Sequence, residues 1–159
     1  MEIITDPKNK ILTSKTKDIE HINSEIKTLA NDMFETMLNN NGVGLSANQV
    51  GYPLSLIVFT DPDYSKKYVL INPKILNSSE TLCDMEEGCL SLPDTWGVVS
   101  RPEKISLEAK NIDGKKIKYK FKDILARIVQ HELDHLNGIL FTEKTKETYK
   151  QPKQINNEY

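Results

Sequence analysis

Near the carboxyl end of the chain, His131-Glu132-Leu133-Asp134-His135 forms an H-E-x-x-H pattern. On a helix the four-residue separation sets both imidazoles on one face, one turn apart, where two neutral nitrogens reach a single metal ion. Glu132 then lies about 100° around the helix from His131, free to act as a base toward water instead of as a ligand. Two incidental histidines on an exposed helix would give the same five letters, but the flanking Ile128, Val129 and Leu136 argue for a buried helix, where imidazoles need partners. A catalytic metal site also needs a third protein ligand and an open position. The longer metalloprotease pattern H-E-x-x-H-x-x-G-x-x-H is matched through Gly138 but has Phe141 where its last histidine belongs. A glutamate from a later helix would have to be Glu143, Glu147 or Glu158, in a segment with little helical patterning. His21, Cys83 and Cys89 remain the stronger candidates. Cys89 lies in Glu87-Gly88-Cys89-Leu90-Ser91-Leu92-Pro93, where the glycine permits close backbone approach and the amides that follow can point at a reacting carbonyl. Cys83 reads as a small, partly buried thiol, and His21, beside Glu20, as a surface histidine.

These residues need elements to hold them. Ile124, Leu125, Ile128, Val129 and Leu136 recur at helical spacing, which predicts a helix over about Asp123 to Asn137 with Gly138 at its C-terminal cap. A second amphipathic helix is expected over Ile26 to Leu38, capped by Asn23 or Ser24 and stopped by Asn39-Asn40-Asn41-Gly42. The Gly42–Gln49 stretch is glycine-rich but has neither a dinucleotide fingerprint nor a phosphate-loop lysine, and by itself reads as a helix stop and turn. Leu54 to Thr60 and Tyr68 to Asn72 read as strands, the second ended by Pro73. Ile105, Leu107, Ala109 and then Ile117, Tyr119, Phe121 alternate around Asp113-Gly114, a hairpin. The tail from about Thr142 is polar, contains Pro152 and runs into Gln154-Ile155-Asn156-Asn157, so a frayed or short element is expected. The reading is one α+β domain over residues 1–159, with a mixed or antiparallel sheet around a buried helix.

Composition narrows the class. At 159 residues with 38% apolar and 28% charged residues, the chain can bury one core and has no apolar run long enough for a membrane span. A net charge of −2, with lysines and carboxylates interspersed, gives no reason to expect direct nucleic-acid binding or attachment to an anionic membrane. The opening MEIITDPKNK lacks the layout of a secretory signal, so a soluble intracellular protein with reduced Cys83 and Cys89 is the expectation.

Taken together, three segments resemble the signatures of the peptide deformylase family: GVGLSANQ at 42–49, EGCLS at 87–91 and QHELDHLNG at 130–138, in the family's order and spacing. The resemblance runs from the first helix through Phe141. It departs at Ser46, where alanine is usual, and in a tail too short for the long C-terminal helix of many bacterial members. It implies removal of the formyl group from formyl-methionine at the N-termini of nascent proteins, by a monomer in the cytoplasm of a bacterium or a virus-infected bacterial host, or in an organelle. It implies Cys89, His131 and His135 as ligands of one divalent metal ion, Fe²⁺, which Zn²⁺, Ni²⁺ or Co²⁺ can replace. Glu132 would move the proton, while Gln49 and the Leu90 backbone N–H stabilise charge on the formyl oxygen. Val43, Met85, Ile124 and Ile128, with His131, would line the methionine pocket. Gly44 and Gly88 would meet the peptide backbone in a strand-addition mode, and Glu87, paired with Arg101, would steady the cysteine loop. The implied partners are formyl-methionyl chains and the ribosome exit region. The rivals are an aminopeptidase or endoprotease, indifferent to Cys89, and a non-catalytic member of the fold that uses metal or pocket for binding alone.

Overall fold

The computed structural model describes residues 1–153. Helix α1 spans Ser24–Asn39, with the Asn23 side chain accepting from the Ile26 N–H as its N-cap. Seven strands follow: β1 (Gly44–Ser46), β2 (Leu56–Thr60), β3 (Lys67–Ser78), β4 (Leu82–Cys89), β5 (Leu92–Pro102), β6 (Lys104–Lys110) and β7 (Lys116–Lys122). Helix α2, Asp123–Leu136, carries the two histidines. A five-stranded sheet runs in the order β1-β2-β3-β6-β7, while β4 and β5 make a separate two-stranded sheet, and every strand pairing is antiparallel.

Alternation along the strands sends side chains to opposite faces of the large sheet. Leu45, Leu56, Val58 and Ile71 pack against Leu29, Ala30, Met33 and Met37 of α1. Ile57, Phe59, Leu70, Leu107 and Phe121 pack against Ala126, Val129 and Leu133 of α2. Helix α2 is thereby buried between the sheet and the β4–β5 hairpin. Its C-terminus is closed by bonds from the Gly138 N–H to the His135 carbonyl and from the Ile139 N–H to that of Asp134, with Gly138 at φ 74°. A Cβ there would sit 2.7 Å from the Thr13 backbone, so the position needs glycine for space as well as for conformation.

Two expectations are corrected. Strand β3 continues past Pro73 to Ser78, because the proline falls where the register with β6 shifts between Ile71 and Lys74, and its missing N–H costs no ladder bond there. Strand β2 begins at Leu56, Leu54 forming only an isolated bridge with Lys17. The tail, expected as a frayed or short element, is short and ordered by pairing over its described part. A short 3₁₀ turn, Phe141–Glu143, leads into bridges between Thr145 and Val99 and between Tyr149 and Trp96, so the segment lies along the outside of β5. Gln154-Ile155-Asn156-Asn157 lies outside the described residues. No helix among the described residues is long and apolar enough to cross a membrane.

Candidate metal centre and active site

Cys89 ends β4, and a two-residue turn, Leu90-Ser91, leads into β5. The β4–β5 hairpin lies against α2 and delivers the thiol to the two histidines: Cys89 Sγ is 3.2 Å from His135 Nε2, and the ligand atoms of Cys89, His131 and His135 all fall within 4.8 Å of one another. His131 Nδ1 is 2.8 Å from Glu87 Oε2, which turns its Nε2 toward the cysteine. His135 is 1% exposed. Among the described residues this is the one His/Cys/carboxylate group with metal-ligand spacing. Cys83, farther up β4, and the exposed His21 do not join it. Phe141, at the place of a metalloprotease's third histidine, is buried and lies with its ring 6.1 Å from that of His131.

The electrostatics suit a cation. Burial by itself would lower His131, but the Cys89 and Glu87 groups on its two nitrogens hold it well above 6.5. The proton they favour stands where positive charge is wanted, and a divalent ion among the three donors supplies that charge in its place. Burial and the neighbouring His131 charge drive His135 well below 6.5, the neutral form that ligation requires. Burial raises the Glu132 carboxyl to about 7 despite the nearby His131. Its Oε2 is buried without a hydrogen-bond partner. Gly44 presses on this carboxylate, since a Cβ there would come within 2.5 Å of Glu132 Oε1. The donor set, the converging geometry and this orphaned oxygen fit a metal with a reacting water beside it.

The residues flanking the centre line a cleft of about 580 Å³. Every residue expected from the sequence in the pocket or the machinery borders it except His135, which lies behind the wall: Val43, Gly44, Gln49, Met85, Glu87, Gly88, Cys89, Leu90, Ile124, Ile128, His131 and Glu132. The Gln49 amide is oriented by Ser46, whose N–H and hydroxyl both donate to Gln49 Oε1 at 2.9 Å. That leaves Nε2 directed toward Ser91 Oγ (3.2 Å) and Cys89 Sγ (3.6 Å).

A match to the polypeptide deformylase family model extends over residues 1–151. Over 137 residues, 86% of this chain and 88% of the relative, 47% of positions are identical to a peptide deformylase of Dictyoglomus thermophilum. A peptide deformylase of Borreliella burgdorferi is 40% identical over 94% of this chain and 90% of its own. The chain belongs to the peptide deformylase family. The fold of a peptide deformylase from Synechococcus elongatus, solved in complex with actinonin, superposes with a TM-score of 0.87 at 35% identity, covering 92% of this chain and 79% of that one. Bacterial relatives are joined by a chloroplastic/mitochondrial peptide deformylase of Arabidopsis thaliana, 39% identical over 91% of this chain and 54% of that one. As a deformylase the chain is a metal-dependent hydrolase that removes the N-formyl group from nascent proteins.

With the deformylase site assembled, what the sequence did not announce becomes visible. Glu87 is buried and holds three partners: Arg101, donating through Nε and Nη2 (3.0 Å to Oε2), Arg127 Nη1 at 2.7 Å, and His131. Burial alone would raise its carboxyl, but His131 and Arg101 hold it well below the usual carboxylate range. The expected Glu87–Arg101 pair is therefore a buried clamp, and the Glu87 side chain turns to these partners rather than into the cleft. Arg127 was missed altogether. It sits one turn before His131 on α2, is 5% exposed, and also donates to the carbonyls of Cys83 and Val99, lashing the helix to both strands of the hairpin. A charged residue at a helical core position, four before a ligand, was the available signal. Trp96 also borders the cleft, its ring filling the space over Gly88.

Proposed function

We propose that this deformylase acts through Cys89, His131 and His135 as holders of one ferrous ion and Glu132 as the proton carrier. The observation that carries the reading is the convergence of the three donors beside a buried carboxyl with an unpartnered oxygen at the floor of the cleft. A Cys/His/His set also suits Zn²⁺, Ni²⁺ or Co²⁺, and oxygen-sensitive iron is readily lost to them. When bound, the ion supplies a Lewis acid that polarises the formyl carbonyl and acidifies water.

The chain's own groups do the rest. The methionine side chain enters the apolar pocket of Val43, Met85, Ile124 and Ile128, and the peptide lies extended against the backbone at Gly44 and Gly88. Glu132 accepts a proton from water as its oxygen adds to the formyl carbon. A cation nearby draws the raised Glu132 carboxyl back down, into the state ready to accept that proton. Negative charge gathering on the formyl oxygen is met by the Leu90 backbone N–H and the Gln49 amide, whose aim Ser46 sets. Glu132 then returns the proton to the amine nitrogen as the C–N bond breaks, releasing formate and a free N-terminus. The enzyme acts as a monomer on formyl-methionyl chains near the ribosome exit, in a bacterial or organellar interior.

Formate release from formyl-Met-Ala-Ser by anaerobically purified, iron-loaded protein tests this reading. Glu132→Ala should lower the rate by about 10²–10⁴-fold with metal still bound. Release that survives in the variant, or that is absent from folded, metal-loaded protein, overturns it.

A further inference from the structure

Asn48 and Gln49 are neighbours in one short 3₁₀ turn, Ala47–Val50, and both are buried. Gln49 meets the formyl oxygen in the reaction proposed above, and Asn48 has no part in it. The Asn48 side chain crosses instead to helix α2. Its Nδ2 donates to the His135 carbonyl at 2.6 Å, with the Ile11 carbonyl at the long distance of 3.5 Å. Gln49 Nε2 faces Cys89 Sγ at 3.6 Å. Adjacent residues of one turn therefore reach the segments that carry two of the three metal donors. Stability does not account for the amide at 48. The His135 carbonyl also accepts from the Gly138 N–H at 2.9 Å, so it is not stranded without Asn48. Asn48 Oδ1 is buried with no hydrogen-bond partner in the protein. An oxygen withdrawn from water without a partner is a cost that an apolar side chain of the same branching escapes. A polar group kept at such a cost points to function.

Ser46 sets the rotation of the Gln49 amide, but the distance of the whole turn from the metal donors is a separate matter. The Ile4 N–H holds the Gln49 carbonyl at 2.8 Å, from a segment that carries no donor. The Asn48 bond runs to the donor helix itself. An oxyanion donor is effective at about 2.7–3.1 Å from the developing charge, and a displacement of about 1 Å can cost 10²-fold in rate. We infer that Asn48 is a positioning residue: by gripping the His135 carbonyl it fixes the Gln49 amide at the distance from the metal donors where one formyl oxygen meets both. Asn48 acts through Gln49, so the inference rests on the role given to Gln49 above.

The test is a double-mutant cycle on the intact, iron-loaded protein: wild type, Asn48→Leu, Gln49→Met and the two combined. Each is measured for bound iron per chain, for urea unfolding, and for kcat and KM on formyl-Met-Ala-Ser. Asn48→Leu should lower kcat by about tenfold or more, with KM nearly unchanged and bound iron equal to wild type. In the Gln49→Met background the same change should have almost no further effect, because the group it positions is already gone. A merely structural residue would instead lower kcat equally in both backgrounds. The inference is overturned by an equal loss in both backgrounds, by unchanged kcat in Asn48→Leu, by a rise in KM alone, or by a loss of activity matched by a loss of iron. Should Asn48→Leu not fold, Asn48→Ala takes its place in the cycle, and failure of both to fold overturns the inference in favour of a structural role. Wild-type kcat in Gln49→Met would count against the role of Gln49 itself and take this inference with it. A slow Gln49→Met beside an unimpaired Asn48→Leu would leave that role standing and overturn this inference alone.

Discussion

At the scale of single residues, the centre depends on side chains that never touch substrate. Ser46 puts two donors on Gln49 Oε1, where an alanine leaves only the backbone N–H. Losing one neutral hydrogen bond is worth about 1 kcal/mol, so Ser46→Ala should lower kcat by up to roughly tenfold with KM nearly unchanged, as steady-state kinetics on a formylated tripeptide would show. Arg127 and Lys144 both reach carboxylates in the same network, at opposite extremes of exposure. Arg127→Met removes one of the three partners of buried Glu87 and the donor shared with the Cys83 and Val99 carbonyls, and should cost about 2–3 kcal/mol. Lys144, 39% exposed, pairs with Asp134 where water screens the interaction, so Lys144→Met should cost at most about 1 kcal/mol. Urea unfolding of the two variants side by side checks the contrast.

At the scale of elements, α2 is useful because both of its ends are fixed. Its C-terminal carbonyls take the Thr16 N–H and hydroxyl at Leu136 and the Asn48 amide, 2.6 Å from the His135 carbonyl. Gly138→Ala would force an alanine into the left-handed region and against the Thr13 backbone, loosening the turn that follows His135. We expect a loss of about 2 kcal/mol or more, roughly 4–8 °C in Tm. Gly51 also has positive φ but nothing within 4 Å of its missing Cβ, so Gly51→Ala should cost only the conformational part, about 1 kcal/mol. Differential scanning calorimetry of both variants separates space from conformation. The β4–β5 hairpin is the element that sequence patterning hides. Its inward positions do alternate, but several are filled by Glu87, Gly97 and Arg101, so no hydrophobic rhythm marks it.

For the whole molecule, the buried cluster ties stability to pH. Glu87 has a folded pKa below its ordinary 4.5, so its contribution is complete above that value and is lost as pH falls below it toward the folded pKa. The urea midpoint of the metal-free protein should therefore fall between pH 5 and pH 3, and less steeply in Glu87→Gln, measured as the change in midpoint across that window. A midpoint that falls equally in both proteins would place the acid limb elsewhere. Much of this protein was determined by sequence alone: two helices within a residue or two of their ends, the β6–β7 hairpin, and the placing of His131 and His135 one turn apart on α2, because helical spacing, turn chemistry and short motifs are local properties of a chain. Other features were not local. Pro73 could stay within a strand because a bulge received it, and Arg127 became a clamp only when β4 and β5 arrived beside it. The approach of Cys89 to the two histidines across the β4–β5 hairpin likewise needed the assembled fold. Those outcomes depend on which distant groups share a buried space or a common face, and such neighbours are set by the packing of sheet on helix rather than by spacing along the chain.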